Sequence, residues 1–157
     1  MLLLLLFSSC EREQNEYYQT ILKSDVGHLR GVSIGANISE VKALEDEEFL
    51  KDEMPDYLHY DYSINMGNTY TVTYDFSSEN ELYEIELAVF LDAIEDAGSL
   101  FDSYTQGFNR KFGKGREAED GFTIWNIKNA KSNIELAMIN DSQSYGYLSI
   151  IVRDLNY

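Results

Sequence analysis

Cysteine and histidine are scarce in this chain of 157 residues. The single cysteine, Cys10, excludes an internal disulfide and any zinc site that needs several cysteines. The only two histidines, His28 and His59, are far apart in the chain. We therefore expect no metal and no other cofactor, because ligands and bases for such chemistry are few.

Basic residues are also scarce. The chain has 12 lysines and arginines against 28 aspartates and glutamates, which gives a formal net charge of −16. A surface of this charge repels a phosphate backbone, so we expect no nucleic-acid partner. It also argues against docking on anionic lipid through a basic patch. Strong acidity favours solubility, and it leaves open a surface for a basic partner or for cations.

The third absence is a long hydrophobic run. The most apolar stretch, residues 1–7 ("MLLLLLF"), is far shorter than the ~20 residues that a membrane-spanning helix needs. Its length suits the apolar region of a secretory signal. The small residues Ser8 and Ser9 follow it, and then comes Cys10.

The stretch Phe7-Ser8-Ser9-Cys10 resembles the lipobox of bacterial lipoprotein signals. This resemblance implies cleavage between Ser9 and Cys10 and acylation of Cys10. The membrane would then be a partner through the lipidated cysteine, since two or more acyl chains hold a protein stably on a bilayer. We expect a protein of the bacterial cell envelope, anchored in the outer membrane on its periplasmic or outer side.

This interpretation divides the chain into three parts. Residues 1–9 are a signal peptide, residues 10–29 are the anchor cysteine with a flexible tether, and residues 30–157 form one domain. The tether is predicted because "EREQNEYYQT" is polar and acidic and cannot continue an apolar element.

Two helices are predicted in the domain. Asn37 and Glu40 have the spacing of a capping box that begins a short helix ending near residue 44. The acidic run 45–48 ("EDEE") is typical of a solvated face and leads into a loop. Apolar residues at steps of three and four predict a long helix over residues 93–112, and Gly113 is placed to cap it.

A period of two predicts six strands. These are residues 57–64, 69–76, 81–91, 122–128, 133–140 and 145–154. Residues 114–121 ("KGREAEDG") separate the long helix from the fourth strand as a charged loop. Trp125 is expected in the core, because its neighbours are apolar as well.

The order of elements is helix, three strands, helix, three strands, which is an αβββ unit written twice. We therefore predict an α+β fold, in which a tandem αβββ repeat forms a six-stranded antiparallel sheet with both helices packed on one face. The arrangement resembles the beta-lactamase-inhibitor-protein-like fold. The residues that match the opening element of that group are Gly31, Ser33, Gly35, Ser39, Glu40 and Val41.

No motif of a known catalytic centre is present. The chain has no nucleophile elbow, phosphate-binding loop, His-Glu-x-x-His helix or EF-hand loop. Acidic residues are so abundant that an apparent carboxylate pair carries little information. We expect a protein that is not an enzyme.

The polar face of the predicted sheet supplies the candidate binding residues. They are Tyr57, His59, Asp61, Glu84, Glu86 and Tyr147. We predict a lipid-anchored, non-enzymatic module that binds an envelope or extracellular protein partner. One alternative is a small ligand carrier or hydrolase with a pocket between helix and sheet. Another is an accessory structural lipoprotein of an outer-membrane assembly.

Overall fold

The computed structural model describes residues 14–128 and 132–157, which form three α-helices and an eight-stranded antiparallel sheet. The helices are α1 (Tyr18–Leu22), α2 (Ile38–Leu44) and α3 (Ile94–Phe112). The strands are β1 (Leu50–Met54), β2 (Tyr57–Asn65), β3 (Asn68–Phe76), β4 (Leu82–Leu91), β5 (Arg116–Glu117), β6 (Thr123–Lys128), β7 (Asn133–Asn140) and β8 (Gly146–Asp154). The predicted cleavage and lipidation site at Ser9 and Cys10 lies outside the described residues.

The strand order across the sheet is β1-β2-β3-β4-β8-β7-β6-β5. Each half is a helix followed by four strands, and the two halves meet where β4 pairs with β8. The α+β class and the antiparallel sheet are therefore confirmed, but six strands is wrong. Each half carries one further strand at an outer edge.

These two edge strands escaped prediction because they carry almost no apolar signal. β1 ("LKDEM") is exposed at every position after its first, and β5 is only two residues long. Short or charged edge strands are a common way to prevent pairing with another chain. They form here because their neighbours β2 and β6 offer hydrogen-bonding edges, which local sequence does not reveal.

The segment predicted as a tether is part of the folded domain. Tyr18, Ile21 and Leu22 of α1 are buried, and so is Tyr17 just before the helix. The predicted boundary at residue 30 is wrong, because the steps of three and four between these residues give α1 an apolar face that packs on α3. The polar and acidic residues that precede α1 hide that short pattern.

The core lies between the helices and one face of the sheet. Leu100, Tyr104 and Phe108 of α3 are buried, and Trp125 is only 2 % exposed, as expected. Gly146 lets the start of α3 approach β8 closely, since a Cβ there would lie 2.6 Å from the carbonyl oxygen of Ala93. The predicted helix ends are also confirmed: the Asn37–Glu40 capping box begins α2, and Gly113 caps α3.

Candidate functional site

The sheet has a second face, opposite the helices, which we call the open face. Because side chains alternate along a strand, every second residue of β2, β3, β4, β8, β7 and β6 belongs to it. All six predicted binding residues lie there, on three strands. Tyr57, His59 and Asp61 are on β2, Glu84 and Glu86 are on β4, and Tyr147 is on β8.

One end of the open face carries an acidic patch, formed by Asp75, Glu84 and Glu86. Asp75 of β3 lies directly opposite Glu84 of β4, and Tyr57 lies opposite Asp75 on the other side. Arg153 faces Glu84 from β8, but its guanidinium bonds Glu135 at 2.7 Å. The patch therefore holds more negative than positive charge.

The crowding of these carboxylates changes their titration. Partial burial raises the pKa of Asp75, and the charges of Glu86 and Asp56 raise it further. Partial burial also raises the pKa of Glu84, and Asp75 adds to this rise while Arg153 opposes it. A positive charge from outside the chain would relieve this repulsion.

The other end of the open face carries an aromatic patch, formed by Phe90, Tyr145 and Tyr147. Phe90 of β4 lies opposite Tyr147 of β8, with ring centroids 5.1 Å apart. Tyr145 extends the patch, at 6.3 Å from Phe90, and is 49 % exposed. Aromatic rings with polar tips are the groups most enriched at protein interfaces.

The centre of the open face is formed by small side chains. Ala88 of β4 lies between the two patches, opposite Thr71 of β3 and Ser149 of β8, and Ala137 and Ile151 face each other on β7 and β8. On β2, His59 stacks with Tyr57 at 6.2 Å, and its Nδ1 atom is 2.9 Å from the hydroxyl of Thr73. The structure thus separates Tyr147 from the acidic residues with which the sequence grouped it.

Sequence reasoning did not select Asp75 or Phe90 as site residues. The alternation along β3 already placed Asp75 on the polar face, so this signal was available. Phe90 belongs to a strand of continuous apolar character, "LAVF", in which alternation is not visible. Only the pairing of β4 with β8 puts Phe90 beside Tyr147.

A second polar cluster lies inside the domain, around Arg30 and Glu45. Both side chains are fully buried, and the Arg30 guanidinium bonds both carboxylate oxygens, with Nε at 2.9 Å from Oε1 and Nη2 at 2.8 Å from Oε2. The hydroxyls of Tyr62 and Tyr74 donate to the same carboxylate at 2.6 and 2.5 Å. Arg30 also donates to the carbonyl oxygen of Ile21, in α1.

This cluster holds its charges firmly in the ionised state. Burial alone would raise the pKa of Glu45, but the hydrogen bonds and charge of Arg30, with those of Tyr62 and Tyr74, lower it overall. Arg30 lies 5.1 Å from the ring centroids of both Tyr62 and Tyr70. Because every oxygen lone pair is engaged, Glu45 suits a structural role and not proton transfer.

Glu45 also corrects the prediction that the run 45–48 is a solvated face. Its neighbour Asp46 is exposed, whereas the Glu45 side chain is fully buried. The sequence gives no signal for this difference, because the groups that bind Glu45 come from β2, β3 and the segment before α2.

In the part of the chain that the structure describes, no three histidine, cysteine, aspartate or glutamate side chains are grouped so that they could hold a metal ion. No helix in the described ranges is both long and apolar enough to cross a membrane. No protein-family model, no curated protein and no solved structure matches this chain.

Proposed function

We propose that this protein is a lipid-anchored lipoprotein of the bacterial envelope, and that it works as a non-enzymatic module whose open face binds another protein. The observation that carries the proposal is the open face itself. Its aromatic patch, its centre of small residues and its acidic patch lie on adjacent strands, on the side of the sheet away from α1, α2 and α3.

The chemistry of the open face favours a partner with a basic surface. The crowded carboxylates Asp75, Glu84 and Glu86 would steer such a partner and fix its orientation. Phe90 and Tyr147 would supply the contact area that carries most of the affinity, as aromatic anchors do at many interfaces. The small side chains of Ala88 and Ser149, which lie on the open face between the two patches, would allow a partner to approach the sheet closely.

The anchoring part of the proposal rests on the order of Ser8, Ser9 and Cys10 after the apolar run. Mass spectrometry of the mature N-terminus tests it directly. We expect a chain that begins at an acylated Cys10, and we expect the Cys10→Ala variant to lose the lipid. An unmodified chain that keeps residues 1–9 would contradict the anchor and the envelope location.

The finer fold assignment is also a proposal. The palindromic strand order, with a helix before each set of four strands, supports a tandem arrangement like that of the beta-lactamase-inhibitor-protein-like group. A structural role in an outer-membrane assembly would use the same open face. A carrier or hydrolase with a pocket between helix and sheet gains no support, because Leu100, Tyr104 and Phe108 fill that space.

Site-specific photo-crosslinking in the native envelope tests the binding surface. A photoreactive residue at Thr71, in the middle of the open face, should give a discrete cross-linked protein. The same residue at Gln106, exposed on α3, should give none. In the Thr71 background, Glu84→Gln with Glu86→Gln should weaken the cross-link several-fold. Equal cross-linking at both positions, or none at Thr71, would contradict the proposal.

A further inference from the structure

A groove of about 700 Å³ lies away from the open face, between α1, the loop that follows it and the last turns of α3. Its basic residues are Lys23, His28, Arg110 and Lys111. This concentration is notable in a chain with a net charge of −16. The volume falls within the ~300–1,000 Å³ that is typical of small-molecule sites.

Two of these cations, Arg110 and Lys111, form no ion pair with another residue of the described ranges. They share this with the exposed Lys51, Lys114 and Arg116, whereas Arg30, Lys42 and Arg153 are in ion pairs. The Lys111 amine donates to the backbone carbonyl of Asp25, and the negative charge of Asp25 also acts on it. Lys23 differs, because it bonds the carboxylates of Glu45 and Asp46.

The charge of Arg110 affects Tyr18, which lines the groove. Burial raises the pKa of the Tyr18 hydroxyl, the charge of Arg110 opposes that rise, and the charge of Asp25 adds to it. Tyr18 fits there because residue 107 is glycine: a Cβ at Gly107 would lie 2.3 Å from the hydroxyl oxygen. The groove is therefore built by close packing, with Arg110 in its lining.

His28 adds a neutral donor. Its Nδ1 atom accepts a hydrogen bond from the backbone N–H of Ile34 at 3.0 Å, so in the neutral ring the proton is on Nε2. Burial and the neighbouring charge of Lys111 lower the pKa of His28, and burial lowers the pKa of Lys111 although the charge of Asp25 opposes this. A bound anion would offset this crowding of positive groups.

The position of Arg110 and Lys111 at the end of α3 has a simpler cause as well. Cations there complement the helix dipole. That cause does not require a concave groove, and it does not account for His28 or for the apolar wall formed by Leu22, Leu29 and Phe108.

We propose that this groove binds a small organic anion. Its phosphate or carboxylate group would contact Arg110, Lys111 and the Nε2–H of His28. Its apolar part would lie against Leu22 and Phe108. The site is independent of the proposed protein-binding function, since it lies on the helical side of the domain.

Titration of the isotope-labelled full chain by heteronuclear NMR tests the proposal, with inorganic phosphate, phenyl phosphate and benzoate as probes. We expect saturable shifts confined to the groove, with phenyl phosphate at least ~10-fold tighter than inorganic phosphate, because one buried ring contributes more than 1.4 kcal/mol. Benzoate, compared with phenyl phosphate, then tells which head group the site prefers.

Variants distinguish specific binding in the groove from a general attraction of anions to positive charge. Arg110→Gln with Lys111→Gln should weaken phenyl phosphate binding at least ~10-fold, since it removes two positively charged hydrogen-bond donors to the anion. Lys114→Gln, exposed just beyond α3, is the matched control and should change it less than ~2-fold. Asp25→Asn should tighten binding, because it removes a carboxylate from the lining.

Several results would overturn the proposal. They are an absence of saturable shifts, equal losses in the double variant and in Lys114→Gln, and phenyl phosphate binding no tighter than inorganic phosphate. Thermal unfolding of each variant guards against misfolding. If the double variant unfolds at a lower temperature, Asp25→Asn still decides, since a failure to tighten binding would itself contradict the site.

Discussion

Two groups of charged residues in this protein differ in whether their charges are paired. The buried cluster around Arg30 and Glu45 pairs every charge and satisfies every carboxylate lone pair. The acidic patch of Asp75, Glu84 and Glu86 leaves like charges side by side on a half-exposed surface. A charge can be buried only when it is fully paired, whereas surplus charge survives where water or a binding partner can reach it.

Breaking the buried cluster should have the largest effect. Glu45→Ala leaves the Arg30 guanidinium buried without a counterion, so we expect a loss of about 3–5 kcal/mol in the free energy of unfolding. Urea denaturation followed by circular dichroism measures it. Glu53→Ala is the control: it breaks an exposed pair with Lys42 and should cost only about 0–1 kcal/mol. Similar losses in both variants would contradict the distinction.

A single hydroxyl extends the comparison, because tyrosine occurs both in the buried cluster and elsewhere on the open face. Tyr74→Phe removes a hydrogen bond to a buried carboxylate and should cost about 1.5–3 kcal/mol in urea denaturation. Tyr147→Phe on the open face should change stability by less than about 0.5 kcal/mol, since it removes no comparable bond. If the two variants were equally stable, the hydroxyl of Tyr74 would not stabilise the cluster as described.

Removing charge from the acidic patch should act in the opposite direction. Asp75→Asn takes away one of two carboxylates that lie opposite each other, and we expect a gain of about 0.2–1 kcal/mol in the free energy of unfolding at pH 7. The same substitution at Asp52, on the exposed edge strand β1, is the control and should be neutral. A loss of stability in Asp75→Asn would show that the patch is not under repulsion.

The buried cluster and the acidic patch should also affect the pH dependence of stability in opposite directions. The pKa of Glu45 is lowered on folding, so its contribution is present above the unfolded pKa and is lost as the pH falls through the folded pKa. The pKa values of Asp75 and Glu84 are raised, so their repulsion destabilises the fold at neutral pH and is relieved as the pH falls through their folded values. The gain from Asp75→Asn should therefore shrink between pH 7 and about pH 4, near the ordinary carboxyl pKa.

Denaturation of wild type and Asp75→Asn at several pH values measures this smallest effect. The stability of the Glu45→Ala variant, measured over the same pH range, should show the opposite dependence on pH. Its deficit relative to wild type should persist down to about pH 4 and diminish only below it. A gain from Asp75→Asn that stays constant with pH would contradict a raised pKa at residue 75.

Regular local patterns made the main strands and α3 predictable. In β3, residues 69–76 alternate without interruption, so burial on one face follows from the period alone. The same alternation placed Tyr57, His59 and Asp61 on the open face. Predictions failed where an element depends on its neighbour: α1 is short, β1 and β5 are charged edges, and Phe90 gains its partner Tyr147 only through the β4–β8 pairing.

The acidic run at residues 45–48 shows which structural properties the local sequence does not determine. The sequence determined by itself that these residues follow a capped helix and are highly charged. Only the tertiary structure decided that Glu45 lies in the core while Asp46 is exposed. The physical reason is that the free energy of a buried charge is set by the groups around it, and Arg30, Tyr62 and Tyr74 meet at Glu45 only after the chain has folded.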